Sequence, residues 1–221
     1  MCILRKIYFS IIRNLREKLN PFYSNNRLKK LEELGGNKHF TIISNNCWGG
    51  HVYRFFGLPY YSPTIGLYFF AHDYIKFIYN MKSYLNKKLV FISLSESKYS
   101  DILRKRTIDN QTCPIGKIDD IEIIFLHYKS KEEAQEKWER RKKRINWDNI
   151  IYKFAEMNEC EFSDLVDFDN FPVEKKIVFV TKDYGLRSQV IFKEYRHKDH
   201  IVDDTNNFKK YVNLYKLISG K

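Results

Sequence analysis

The stretch HFTIISNNCWGG, residues 39–50, decides the fold of this chain. Its first six residues are mostly apolar and β-branched, which predicts a buried strand, and the two asparagines that follow bound that strand. The thiol, the amides and the two glycines of the stretch form a polar turn. Because ligands in open α/β sheets bind beyond the carboxyl ends of the strands, we expect this turn to border a ligand site.

Further apolar runs alternate with helical patterns after this strand. Strands are predicted over residues 88–93, 119–128, 150–157, 176–181 and, at a sheet edge, 187–195, and helices over residues 68–81, 131–145, 163–168 and 208–218. Such alternation predicts an α/β fold, a three-layer domain with a mostly parallel sheet. The polar residues 96–112 are interpreted as a strand or a loop, and Asp73 and Lys76 are expected on an exposed helix face.

We expect residues 1–38 to form appended N-terminal helices and residues 39–221 to form a single α/β domain. Residues 3–19 place apolar side chains at helical spacing with Arg and Lys between them, which predicts a basic amphipathic helix, and a shorter helix is predicted over about residues 26–34. The first helix either lies on an anionic membrane or packs against protein, and both interpretations are open. Because we find no signal peptide and no membrane span, we expect a cytoplasmic protein, peripheral to the inner face of the membrane if this helix binds lipid.

The composition is that of a globular protein, with 43% hydrophobic and 16% aromatic residues, and it excludes a disordered chain. The formal net charge of +12 favours anionic partners such as a phosphate-bearing substrate or a membrane leaflet, although lysine-rich codon usage gives the same excess. No zinc module, RNA-recognition signature or helix-turn-helix pattern accompanies the charge, so no nucleic-acid partner is expected. The four cysteines are widely spaced without the histidine pattern of a zinc site, and no metal is expected.

Three residues are candidates for catalysis, namely Cys47, His51 and His127. A helix dipole favours the thiolate of a cysteine just before the helix N-terminus, so Cys47 is a candidate nucleophile and His51 a candidate base. His127 ends a predicted strand and is well placed to join the same crevice. The alternative interpretation makes Cys47 a buried cysteine beside a core tryptophan, and lone histidines are more often structural than catalytic.

Other residues are candidates for binding a substrate. They are Ser44, Asn45, Asn46, Trp48, Gly49 and Gly50 in the turn, and Arg141 and Arg144 on the helix predicted over residues 131–145. The turn offers amide donors to an oxyanion and glycine N–H groups to a phosphate. Arg141 shares an inward-facing stripe with Ala134 and Trp138, and an arginine in that position needs an anionic partner, either a carboxylate or a substrate phosphate.

The string FTIISNNCWGGHVYRFFGLPYYSPTIGLYF, residues 40–69, resembles the signature of the domain-of-unknown-function family 1919. The resemblance continues through CPIG at residues 113–116, FLHY at residues 125–128 and EEAQEKWERRKKRINWDN at residues 132–149, and it covers residues 39–182. Cys113 stands where that family has tyrosine before the proline. Members of the family are bacterial proteins often encoded among exopolysaccharide and capsule biosynthesis genes, so the resemblance implies an α/β fold and a role in glycan assembly.

Two functions from different classes are open. The first is a transferase, similar to O-acyltransferases, that acts on a sugar or nucleotide-sugar precursor of a cell-surface polysaccharide with a coenzyme A thioester as donor. A loose similarity between a strand that ends in Asn-Cys and the start of coenzyme A-binding capsule proteins supports it. The second is a non-catalytic protein that binds a nucleotide-sugar or serves as a scaffold for membrane-associated glycosyltransferases. The sequence leaves the oligomeric state open.

Overall fold

The structure of the protein, a computed structural model, describes residues 22–106 and 113–221. The basic amphipathic helix predicted over residues 3–19 lies outside these residues. Within the described chain the first helix, α1, covers residues 22–33, close to the short helix predicted over residues 26–34. Gly35 follows it with φ +75°, a left-handed conformation that ends helices and favours glycine.

Strands and helices alternate through most of the described chain. The further helices are α2 (Trp48–Phe56), α3 (Ala71–Tyr79), α4 (Met81–Asn86), α5 (Ser100–Arg106), α6 (Lys131–Lys142), α7 (Phe162–Asn170) and α8 (Leu214–Ser219). The strands are β1 (Thr41–Ser44), β2 (Tyr68–Phe69), β3 (Val90–Ile92), β4 (Ile115–Ile118), β5 (Ile121–Ile124), β6 (Ile150–Ala155), β7 (Lys176–Val180) and β8 (Gln189–Ile191).

The first sheet is parallel throughout, with the strand order β1-β6-β7-β8. Its inner strands are nearly continuous apolar runs because both faces of the sheet are covered, as is usual for parallel strands. β8 forms an edge of this sheet, where the sequence predicts an edge strand. The predicted α/β fold with a parallel sheet is confirmed.

The second sheet is antiparallel, with the order β2-β5-β4-β3, and the sequence did not predict it as a separate sheet. The residue pattern indicates β3 and β5 but not β4, which contains a glycine. That glycine, Gly116, is required by close packing, since a Cβ there would lie 2.6 Å from the Leu89 side chain and 2.7 Å from the Phe125 ring. Asp119, at φ +56°, begins the two-residue turn that joins β4 to β5.

Two large apolar clusters lie on opposite faces of the parallel sheet and pack the layers of the domain together. One lies between the two sheets and joins inward side chains of β1, β6 and β7 to β5 and to helices α3, α6 and α7. The other lies on the opposite face of the parallel sheet, under α1, α2 and α8. Alternate residues of β1 enter different clusters, Ile42 the second and Ile43 the first, as the two-residue period of a strand requires.

Several predicted elements differ from the observed ones. The helix predicted over residues 68–81 begins only at Ala71, because Tyr68 and Phe69 form β2. Asp73 was expected on an exposed face, but it is fully buried, where it accepts hydrogen bonds from the Lys98 ammonium (2.6 Å) and the Glu122 N–H (2.8 Å). The polar stretch after residue 96 contains helix α5 rather than a strand. Residues 208–218 form a short 3₁₀ turn and α8 rather than one helix.

Candidate functional site

The turn after β1 is held by Asn46. Its side-chain carbonyl accepts hydrogen bonds from the Trp48 N–H (3.1 Å) and the Lys153 ammonium (3.0 Å), and its amide N–H₂ donates to the Asp204 carboxylate (2.9 Å). Helix α2 then begins at Trp48, with Cys47 as an N-cap residue whose side chain makes no capping hydrogen bond. Asn46 therefore fixes the direction in which α2 leaves the sheet, and its amide donors are already engaged.

Four of the predicted binding residues pack in the core and line neither of the cavities described below. They are Ser44, Asn45, Trp48 and Gly49. The Asn45 amide donates to the Ala155 carbonyl (3.1 Å), which ties the end of β1 to β6. A Cβ at Gly49 would lie 3.1 Å from the Ile42 side chain, so glycine lets α2 approach β1 closely. This placement assigns them to holding the turn rather than to contacting a ligand.

A cavity of about 330 Å³ lies beside the first turn of α2, and we call it the cationic pocket. Its walls carry five basic side chains, those of His51, Arg54, His127, Lys137 and Arg141. Cys47, Gly50, Tyr60 and Tyr128 also line it, and no acidic side chain from the described residues does. The pocket thus brings together predicted site residues from the turn, from the segment after β5 and from α6.

The guanidinium of Arg141 is buried, with 7% of the residue exposed. It donates hydrogen bonds to the Ile65 carbonyl (3.0 Å) and the Tyr128 hydroxyl (2.6 Å), and the Tyr60 ring centre lies 5.0 Å from it. No carboxylate within residues 22–106 and 113–221 forms an ion pair with it. Because a buried charge without a counter-ion is costly, an anion in the pocket would stabilise this arginine.

The other helix arginine that the sequence singles out, Arg144, is exposed and lies outside the pocket lining, where it donates a long hydrogen bond (3.5 Å) to a backbone carbonyl of the pocket wall. Sequence reasoning missed Arg54 and Lys137. Helical spacing gives a signal for both, since Arg54 follows His51 by three residues and Lys137 precedes Arg141 by four. Neighbours at these distances share a helix face, and here both pairs face the pocket.

His51 is neutral at pH 7. Burial lowers the pKa of its imidazole to about 4, and the positive charge of Arg54 lowers it further, while Asp203 and Asp204 act in the opposite direction. The charge of His127 also lowers this pKa. A neutral imidazole in a cationic pocket has a free lone pair for a proton, so the predicted base is in the form that a base needs.

Cys47 is protonated at pH 7. Burial raises the pKa of its thiol to about 11, and the Asp204 carboxylate raises it further against the opposing charges of Lys153 and Arg54. The thiol points to the Leu67 carbonyl, with an S···O distance of 3.8 Å. The helix dipole at the N-terminus of α2 favours a thiolate, but burial outweighs it here. The structure therefore gives no support to an activated Cys47 nucleophile.

We expect Cys47 to react slowly with iodoacetamide at pH 7. A thiol with a pKa of about 11 is ionised to roughly one part in 10⁴, against roughly 3% for an ordinary cysteine, so alkylation should be at least about 100-fold slower than that of glutathione. Peptide mass mapping of the carboxamidomethyl adducts measures the rate. A rate within tenfold of the glutathione rate would show that the thiol is activated after all.

Cys47 also lines a second cavity, of about 360 Å³, which we call the apolar cavity. Its walls come from Asn46 in the turn, from residues 157–158 after β6, from β4, β5 and α5, and from residues 202–205. Most of the lining side chains are apolar. The two cavities therefore share a wall at the N-cap of α2.

Phosphate-bearing ligands such as coenzyme A or a nucleotide-sugar would find their counter-ions in the cationic pocket. In the described part of the chain, no group of three or more His, Cys, Asp or Glu side chains is arranged to hold a metal ion. No helix formed by residues 22–106 or 113–221 has the length and apolar character needed to cross a bilayer.

Comparison with known proteins extends the resemblance found in the motifs. The model of the family described as "Domain of unknown function (DUF1919)" matches residues 16–219, beyond the residues 39–182 that carry the motifs. An uncharacterized protein of Haemophilus influenzae (strain ATCC 51907 / DSM 11121 / KW20 / Rd) is 29% identical over 216 residues, which cover 95% of this chain and 96% of that protein. Since the family model matches most of its length, this chain belongs to the DUF1919 family.

Proposed function

We propose that this chain is a transferase that binds a phosphate-bearing glycan precursor in the cationic pocket and modifies it during the assembly of a bacterial cell-surface polysaccharide. One observation carries the proposal. The buried guanidinium of Arg141 has no carboxylate partner in the described chain, and it lines a pocket together with four other basic side chains. A phosphate would supply the missing counter-ion, and the planar guanidinium matches its oxygens. The glycan class follows from the role that the family resemblance implies.

His51 serves as the general base of the transfer in this proposal. It takes the proton of a sugar hydroxyl, whose oxygen then forms a bond to the carbonyl carbon of an acyl thioester such as acyl-coenzyme A. The C–S bond breaks, and the leaving thiolate takes the proton from the imidazolium. Atoms and charges balance, and no step requires an ionised Cys47.

Ligand binding would tune this base. In the free pocket, burial and the charges of Arg54 and His127 hold the pKa of His51 down to about 4, which makes it a weak base. A bound phosphate offsets those charges and raises the pKa towards the range in which a general base is effective at neutral pH. The base would thus become competent only when the anionic ligand is in place.

The pH dependence of stability tests the environment of His51. Unfolded His51 binds a proton near pH 6.5, whereas the folded residue does so only near its pKa of about 4, so the unfolded state binds more protons between these values. The contribution of His51 to the free energy of unfolding is therefore complete above about pH 6.5 and is lost as the pH falls towards 4. Urea unfolding at several pH values should show a smaller loss in His51→Gln than in wild type. His200→Gln, at an exposed position, should follow wild type, and equal pH profiles for both variants would contradict the assignment.

A complementation experiment tests the proposed function. A bacterial strain without this chain is supplied with wild type, His51→Gln, Arg141→Gln or the control His200→Gln, and the acyl groups on its surface polysaccharide are counted by NMR. We expect wild type and His200→Gln to restore the acyl groups and the two pocket variants to fail. An unaltered polysaccharide in the strain without the chain would contradict the proposed function.

Non-catalytic binding of a nucleotide-sugar is the second candidate function. It is favoured by one observation, that the pKa of His51 is lowered to about 4, which makes its imidazole a weak base in the free pocket. In that case binding would require Arg141, but His51 would have no proton to transfer. His51→Gln would then restore the polysaccharide in the complementation experiment, whereas Arg141→Gln would not.

A further inference from the structure

The apolar cavity lies where the two sheets meet. On one side are residues that follow the carboxyl ends of β1 and β6, namely Asn46, Met157 and Asn158. On the other side are the outer face of the antiparallel sheet and α5, which form a third, small apolar cluster of their own. The carboxyl edge of a parallel sheet is the usual place for a ligand, and this cavity of about 360 Å³ is within the size range of small-molecule sites.

The polar side chains in these walls are already engaged. Asp204 is fully buried in an ion pair with Lys153, and Asp203 accepts hydrogen bonds from the N–H (2.8 Å) and the hydroxyl (2.6 Å) of Thr205. Arg106 donates to the Asn158 side chain (3.2 Å) and pairs with an exposed glutamate. What these walls present to a ligand is therefore mainly hydrocarbon.

Six aliphatic residues provide that surface. They are Leu94, Leu103, Ile115, Ile124, Leu126 and Val202. Two of them are unusually exposed for large aliphatic residues, Leu126 at 43% and Val202 at 58%. The wall that carries Val202 is anchored, because the Ile201 N–H donates to the Glu156 carbonyl (2.8 Å) and Asp204 forms an ion pair with Lys153. An anchored wall with exposed hydrocarbon is a surface suited to an apolar ligand.

The neighbouring cationic pocket indicates which apolar ligand the cavity would bind. Cys47 is part of both linings, so the two cavities lie side by side at the N-cap of α2. We propose that the apolar cavity binds the hydrocarbon chain of an amphiphile whose phosphate head group occupies the cationic pocket. This inference rests on the proposed function and specifies the class of its ligand. The ligand would be either a glycan precursor whose phosphate is attached to a lipid-like chain or, as the donor, an acyl-coenzyme A.

Calorimetric titration of the full chain with matched ligands tests this inference. Every methylene that leaves water multiplies the affinity about fourfold, so four buried methylenes should make dodecyl phosphate at least about 100-fold tighter than inorganic phosphate. Lauroyl-coenzyme A is compared with coenzyme A in the same way. This comparison distinguishes an acyl-coenzyme A ligand from a lipid-like phosphate. Dodecyl maltoside, which has the chain without the charge, should bind far more weakly. All ligands are used below their micellar concentrations.

A matched pair of tryptophan variants shows where the hydrocarbon chain of the ligand binds. Val202→Trp places a large ring at the mouth of the apolar cavity and should weaken dodecyl phosphate binding by about tenfold or more. Val90→Trp, on the exposed edge strand β3 and outside both linings, should leave it unchanged. The inference alone would be overturned if the two variants bound dodecyl phosphate equally well. It would also be overturned if inorganic phosphate bound and dodecyl phosphate bound no more tightly. No binding of any phosphate would overturn the proposed function as well.

Alkylation of Cys113 gives a second readout that needs no variant. This half-buried thiol lines the apolar cavity, so the hydrocarbon chain of a bound ligand should cover it. Dodecyl phosphate should slow its reaction with iodoacetamide at about pH 9 by tenfold or more, whereas inorganic phosphate should have no effect. Equal rates with both ligands at saturation would place the chain elsewhere and overturn the inference.

Discussion

Replacing Arg141 by glutamine is expected to weaken the binding of pyrophosphate to the cationic pocket by at least about 30-fold. Removing one partner of a buried charge interaction costs roughly 2–5 kcal/mol, and this arginine is the buried cation of the pocket. Calorimetric titration with pyrophosphate measures the loss. Arg141→Lys keeps the charge but loses the planar fork that matches phosphate oxygens, so it should bind with intermediate affinity.

The same helix offers the matched control. Arg140 lies beside Arg141 in sequence, but it is exposed and pairs with Glu136 (3.1 Å) outside the pocket. Arg140→Gln removes the same formal charge and should leave the affinity within about twofold, because exposed charges are screened. If both variants lost affinity equally, the binding would be a general effect of net charge and not a property of the pocket.

Replacing Lys153 by methionine is expected to destabilise the protein by about 3–5 kcal/mol. Lys153 and Asp204 are both fully buried and form an ion pair, so the variant leaves the Asp204 carboxylate with the Asn46 amide as its one polar side-chain partner among residues 22–106 and 113–221. Burial lowers the pKa of Lys153, and the attraction of Asp204 opposes this shift. Urea unfolding measures the loss in free energy.

A double-mutant cycle separates the pair from its surroundings. Asp204→Asn keeps an acceptor and a similar shape near Asn46 while removing the charge, so Lys153→Met/Asp204→Asn should recover more than half of the stability lost in Lys153→Met. Additive losses in the double variant would show that the two charges do not stabilise each other. Because Asp204 anchors a wall of the apolar cavity, the single variant should also weaken dodecyl phosphate binding.

Much of the parallel sheet could be predicted from the sequence. The apolar, β-branched run of β1 and the similar runs of β6 and β7 leave few other interpretations, since a helix would need more residues and another period. β2, only two residues long, and β4, which contains Gly116, give no local signal. Their pairing depends on contacts between distant segments, which a residue pattern does not contain.

The site could be predicted in part. The grouping of Cys47, His51, His127 and Arg141 follows from the end of a strand and the inward stripe of a helix, and the structure places all four around one pocket. The protonation states could not be predicted, because they depend on burial. Cys47 has the helix N-terminus that favours a thiolate, yet the core around it raises its pKa.

The buried ion pair shows where sequence reasoning stops. Lys153 stands in the otherwise apolar run IIYKFA, and a lysine there signals a buried partner. Asp204 lies 51 residues away in a polar segment, with nothing in its neighbourhood to mark it as that partner. Only the folded chain brings the two together, with Asn46 between them.

The most direct test of the cationic pocket is an NMR titration of the His51 imidazole with and without pyrophosphate. In the free protein its pKa should be about 4, and saturation with pyrophosphate should raise this pKa by about one unit or more, because the bound charge offsets Arg54 and His127. The exposed His200 should show little change. An unchanged pKa of His51 at saturating pyrophosphate would contradict the claim that this pocket holds the anion.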